Sequence, residues 1–206
     1  QWYANGQLLP GATNNTLTAQ QQFMIQNYLK GGGSFCMSSM GILSQLGNVS
    51  FRKNVLQVAG FKQNPDAPAP CTHCDEDFGV PAIVGAPANP LSGGMSVTLD
   101  YSNYPSFDDG FGDVFGPDFS DTFTPGTNAT AILFESVSGK PCGMSYPRVG
   151  VDSPGRVVFL SFPLDAVPAT GTPPNDEVTL LRNILNFLTP GVNGVGSIAL
   201  NHTVYS

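Results

Sequence analysis

The sequence predicts a three-layer α/β sandwich with a mostly parallel central sheet, a long Pro/Gly-rich insertion and a trailing β-strand. Three observations predict it. Two segments with helical periodicity stand near the two ends of the chain. Short apolar, strand-like runs alternate with them. One of these runs, Val157-Val158-Phe159-Leu160, is apolar without interruption, as in a central strand covered on both faces. Helices alternating with such strands argue for helices packed on both faces of a sheet.

Each element follows from local signals. Asn5-Gly6, Pro10-Gly11 and Asn14-Asn15 mark a loop over residues 5–16. Thr18-Ala19-Gln20-Gln21 is a capping box, with Thr18 at the N-cap and Gln21 three residues on. The helix runs to Lys30, with Phe23, Met24, Ile25, Tyr28 and Leu29 at helical spacing. Gly31-Gly32-Gly33 stops it by offering a left-handed cap. Residues 34–38 form a short buried strand, and helical turns fit 39–46 and 51–58. Residues 63–94 are rich in Pro, Gly and Ala and read as an extended loop or insertion.

Met95-Ser96-Val97-Thr98-Leu99 alternates like a half-buried strand, and an aromatic, acidic loop follows over 100–127. Strands are expected at 130–136 and 143–146, around the turn Ser138-Gly139-Lys140-Pro141, and again at 156–162. The last helix follows Pro173-Pro174, with Asn175 as its cap and Asp176 and Glu177 in its first turn. Val178, Leu181, Ile184, Leu185 and Leu188 make its apolar stripe, and Pro190-Gly191 ends it. Beyond Gly194 and Gly196, Ser197-Ile198-Ala199-Leu200 reads as a strand. Gln1-Trp2-Tyr3-Ala4 reads as the end of another, so a segment of a longer polypeptide is expected, with an intact protein whose leader has been trimmed as the alternative. The domain then spans 1–190 with an incomplete N-terminus. Residues 191–206 are a linker and a strand that starts, or pairs with, another domain or subunit.

Composition narrows function. The chain has 206 residues, 41% of them hydrophobic and only 11% charged, against about 25% in ordinary soluble domains. Its net charge of −7 and pI of about 4.4 argue against nucleic acid and against anionic lipid, both of which need clustered Lys and Arg. No apolar run is long enough to insert in a membrane.

Four cysteines, Cys36, Cys71, Cys74 and Cys142, permit two disulfides in three connectivities. Cys71-Thr72-His73-Cys74 also fits half a zinc site or free thiols. Sequons begin at Asn14, Asn48, Asn128 and Asn201. With polar residues that are mostly hydroxyls and amides, they predict an extracellular or cell-surface glycoprotein.

The order helix, Gly31-Gly32-Gly33, apolar strand, Ser38-Ser39-Met40-Gly41 resembles the class I glutamine-amidotransferase-like (flavodoxin-like α/β) fold. Residues 155–160 followed by 180–188 resemble the last strand and closing helix of such domains. The resemblance implies a Gly-x-Cys-x-Gly elbow, whose glycines relieve crowding at a strained nucleophile. Here Ser38 falls at the nucleophile, and Cys36 and Met40 at the glycines. The family's His-x-Glu falls on Ser161-Phe162-Pro163-Leu164-Asp165, which has no His. The chain's imidazoles are His73, between two cysteines, and His202, in the tail. A Ser without a base is a poor nucleophile. The resemblance therefore implies a degenerate, non-catalytic copy.

Other residues suggest binding. Asp108, Asp109 and Asp113 lie on a Gly-rich turn, as calcium ligands do, although the spacing is not that of an EF-hand. Tyr101, Tyr104, Phe107, Phe111, Phe115, Phe119 and Phe123 fit a loop that docks on a neighbour, stacks on sugar, or anchors to its own core. The leading expectation is a structural or assembly module, a filament or coat subunit, whose partners are neighbouring domains or copies of itself. The alternatives are an amidotransferase-like hydrolase using Ser38 and a calcium-dependent carbohydrate-binding module. No other cofactor is expected.

Overall fold

Helix α1 (Ala19–Lys30) begins as its sequence dictates in this computed structural model, which describes residues 17–46, 50–61, 79–108, 114–148 and 154–190. The Thr18 hydroxyl accepts from the Gln21 amide at 3.3 Å, and the Gln21 side chain accepts from the Thr18 amide at 2.8 Å. Each end of this box satisfies an amide that the helix leaves without a partner. The left-handed backbone falls on Gly32, with φ of +89°, while the capping Gly31 has φ of −79°. Ile25 and Leu29 pack on the core, but Phe23, Met24 and Tyr28 are 62%, 62% and 58% exposed.

Strand β1 (Ser34–Ser38) follows, then the short helices α2 (Ile42–Leu46) and α3 (Ser50–Asn54) and strand β2 (Val58–Phe61). Further strands are β3 (Ala82–Gly85), β4 (Ser96–Thr98), β5 (Phe107–Asp108), β6 (Val114–Phe115), β7 (Phe123–Pro125), β8 (Thr130–Glu135), β9 (Pro141–Tyr146) and β10 (Arg156–Leu160). Helix α4 (Glu177–Leu188) closes the described chain.

Six strands form one sheet in the order β1-β10-β9-β8-β3-β4. Among the described strands only β1 and β10 run parallel, with Ser34 opposite Arg156 and Ser38 opposite Leu160. The pairs β10/β9, β9/β8, β8/β3 and β3/β4 are antiparallel. The expected mostly parallel three-layer sandwich is thus corrected to a mixed, largely antiparallel sheet. Connection length is the reason. Parallel neighbours need a crossover of about a dozen residues or more, usually a helix. The β8–β9 link is a tight turn through Gly139, and among the described residues no α-helix lies between α3 and α4. The two-stranded sheets β2/β7 and β5/β6 are also antiparallel.

Strand β10 is covered on both faces, as its unbroken apolar run predicts. Val158 and Leu160 join a cluster with Leu180, Ile184 and Leu188 of α4. Val157 and Phe159 join a second cluster with Ile42, Leu43 and Phe51 from α2 and α3. Burying one such side chain is worth roughly 1.5–3 kcal/mol, so these two clusters hold the sheet between them. The face of α4 is turned slightly from the predicted stripe: Leu180 is buried, whereas Val178 and Leu185 are half-buried. Its cap is Asp176 rather than Asn175. Asp176 accepts from the amide and the hydroxyl of Thr179, both at 2.7 Å. Asn175 Oδ1 instead accepts from the Ser96 amide of β4 at 2.8 Å.

The stretch read as a loop over 63–94 contains β3, which sits between β4 and β8. The expected strand at 197–200 lies outside the described residues.

Candidate functional site

The parallel pair sets the carboxyl ends of β1 and β10 side by side, where open α/β sheets place their ligands. Here that place is filled by the protein itself. The Ser39 amide donates to the Leu160 carbonyl at 3.1 Å, and the Gly41 amide to the Phe119 carbonyl at 3.1 Å. Ser38 is 1% exposed, and its hydroxyl donates to the Phe162 carbonyl at 2.7 Å. The Ser161 hydroxyl reaches the Cys142 carbonyl at 2.9 Å and also the Asp121 carbonyl. A hydroxyl that donates to a carbonyl has no acceptor positioned to take its proton in a reaction.

The segment that plugs this end, residues 118–122, is held by a buried polar network. Asp118 accepts from the Val80 amide at 2.7 Å and from the Ser120 amide at 3.1 Å. The Tyr101 hydroxyl donates to the Val80 carbonyl at 2.9 Å and lies 2.9 Å from the Ser120 hydroxyl. Burial raises the Asp118 carboxyl above its ordinary range, against the pull of these bonds. Burial, with Asp118 close by, also pushes the Tyr101 phenol upward. The loop over 100–127 is therefore tied to its own core: Tyr101 and Phe123 are buried, and Tyr104 and Phe119 pack against buried side chains. Tyr104 donates to Asp165 at 2.6 Å.

Cys36 and Cys142 are free thiols and form no disulfide with each other. Burial pushes the Cys36 thiol up to about 11 and the Cys142 thiol well above its usual value. Cys71 and Cys74 lie outside the described residues, as do His73, His202, Asp109 and Asp113. The Asp108 backbone pairs with Val114 in the β5/β6 ribbon. Among the described residues no group of three or more His, Cys, Asp or Glu is placed to hold a metal. Asn128 is exposed in the turn before β8; Asn14, Asn48 and Asn201 are not among the described residues.

The sequence reading missed a cleft of about 300 Å³ at the opposite end of β10, lined in part by Gln26, Lys30, Ser50, Asn54 and Tyr146. These residues come from α1, α3 and β9, and no motif joins them. Among the described residues no helix is long and apolar enough to cross a membrane.

No family model matches the chain, and no curated protein matches it. Among solved structures, one titled "mmIFT52 N-terminal domain" is 14% identical; the match covers 87% of this chain and 75% of that chain, with a TM-score of 0.49. A likeness of that order assigns no function. The resemblance to class I glutamine-amidotransferase-like domains is corrected. No family model supports it, and the sheet that should be mainly parallel has a single parallel pair. The helix-Gly-strand order that carried it is local and leaves the direction of the other strands open.

Proposed function

We propose that this domain is a non-catalytic assembly module of a secreted or cell-surface protein, and that it assembles through the free edge of its central sheet. The observation that carries the non-catalytic reading is Ser38, buried and bonded to the Phe162 carbonyl.

The assembling edge is β1. Parallel pairing uses the backbone of alternate residues. Gly33 accepts from Arg156 and Ser39 donates to Leu160, so Phe35 and Met37 also face β10. The backbone groups of Ser34, Cys36 and Ser38 point the other way, where no described strand pairs with them. Such an edge is a template for an added strand. The opposite edge, β4, is short and its Ser96 amide is taken by Asn175.

The occupant is the tail of a second copy. The Ser34 hydroxyl donates to the Leu188 carbonyl at 2.6 Å, so the end of α4, two residues before the described chain stops at Pro190, lies beside the start of β1. Phe23, Met24 and Tyr28 expose an apolar face on the neighbouring α1. The four residues 197–200 are too few to cover it, whereas the body of a second copy can. Low charge, neutral polar residues and an exposed Asn128 sequon support the extracellular setting.

Light scattering over a concentration series tests assembly. Association that disappears on deletion of residues 194–206 is expected. A monomer at every concentration, or association that survives the deletion, overturns the tail as the joint. Mass spectrometry of protein secreted from eukaryotic cells tests the setting, with a glycan on Asn128 expected and an unmodified Asn128 counting against it.

A further inference from the structure

We propose that the cleft between α1, α3 and the amino end of β10 binds a monosaccharide that carries a carboxylate, a site independent of the assembling edge. Its polar lining is Gln26, Lys30, Ser50, Asn54 and Tyr146, and Leu29 and Val157 add apolar surface. Among the described residues, none of these five side chains has its polar group engaged by another protein group. They are therefore available to a ligand without breaking an internal bond.

The chemistry of the lining selects the class. Carboxamides of Gln26 and Asn54 each donate and accept, as do the hydroxyls of Ser50 and Tyr146, which matches a ring of alcohol groups. Lys30 supplies one cation for one carboxylate. The Tyr146 ring beside Leu29 and Val157 offers an apolar face for the C–H side of a sugar. A volume of about 300 Å³ suits one ring and falls at the small end of ligand sites. Phosphate fits less well, because it carries about two charges at neutral pH against the single cation of the described lining. An amino acid would need a carboxylate for its ammonium, and the described lining holds none.

The charges of the described residues favour an acidic ligand here. Asp118, Asp121, Glu135 and Asp176 gather toward the carboxyl ends of β1 and β10, through their bonds to Val80, Ser161, the β8–β9 turn and the start of α4. Among the described residues Lys30 and Arg148 stand at the other end, where Gly155 lets the end of α1 approach β10, while the Arg156 guanidinium lies on the opposite face, donating to the Phe187 carbonyl at 3.2 Å. A Cβ on Gly155 would lie 2.7 Å from the Leu29 carbonyl oxygen. Among the described residues the charge that lines the cleft is the ammonium of Lys30.

Calorimetric titration of the full chain with glucuronate, galacturonate, glucose and acetate tests the site. At least one hexuronate should bind at millimolar concentration, glucose more weakly, and acetate undetectably. Lys30→Gln should weaken hexuronate binding about tenfold and leave the melting temperature unchanged, since Lys30 is exposed. Asn54→Ala should weaken hexuronate and glucose alike. Failure of both hexuronates to bind, equal binding of acetate, or full affinity in Lys30→Gln overturns the proposal.

Discussion

The Ser38 hydroxyl is bonded to the Phe162 carbonyl across 2.7 Å, tying the end of β1 to the residues just past β10. The bond is buried, so its loss leaves a carbonyl oxygen without water to replace the partner. Ser38→Ala should cost about 1–3 kcal/mol, read from urea denaturation. A serine-reactive phosphonate should leave Ser38 unlabelled in the native chain. Rapid labelling there would sink the non-catalytic reading.

Asp176 closes the first turn of α4 by accepting from the amide and the hydroxyl of Thr179. Asp176→Ala should lower stability by about 1 kcal/mol, and up to about 2 because both bonds go. Asn175→Ala should leave α4 intact and speed hydrogen exchange at the Ser96 amide, which it caps. If the two variants affect α4 equally, the assignment of Asp176 as cap is wrong.

Glu135 gives stability a sign with pH. Burial alone raises its carboxyl, but the amides of Ser138 and Val137 outweigh burial and hold it below its ordinary value near 4.5. A lowered folded-state value means that the contribution is present above the unfolded value and lost as pH falls through the folded one. Wild type should therefore exceed Glu135→Gln in melting temperature at neutral pH, with the gap closing in acid below about pH 4. A gap that persists unchanged to pH 3 refutes the assignment.

The thiols of Cys36 and Cys142 should resist alkylation. Burial holds both in the protonated form, Cys142 wholly enclosed and the half-buried Cys36 up to about 11, and only the thiolate reacts. Iodoacetamide at pH 8 should label neither in the native protein and both in denaturant. Fast native labelling of Cys36 would mean that β1 is open to solvent more often than its packing shows.

Much of the framework was legible. Thr18 and Gln21 announced α1, the turn at Gly139 separated two expected strands that are β8 and β9, and the unbroken apolar run announced β10 between two layers, while the antiparallel pairing of β8 with β9 was not read. Strand β3 was not legible: Ala82–Gly85 is a short run in a Pro-rich stretch, and its partners Val97 and Glu135 are distant in sequence. The cap of α4 was missed by one residue because Asn175 and Asp176 are both good caps. A tertiary contact, the Ser96 amide, took Asn175 away. The cleft was invisible because its polar side chains are gathered from three elements that share no spacing.

The sequence by itself determined where α1 begins and that β10 is buried on both faces. Those outcomes depend on neighbours within a few residues: capping groups, glycines and apolar period. Only the tertiary structure decided strand direction and the fate of Ser38. Direction depends on which strands meet across long separations, and an apolar run packs equally well beside a parallel or an antiparallel neighbour. Ser38 stands at the end of β1 as its position in the chain requires. Whether its hydroxyl meets a substrate or a carbonyl was set by Phe162, more than a hundred residues away.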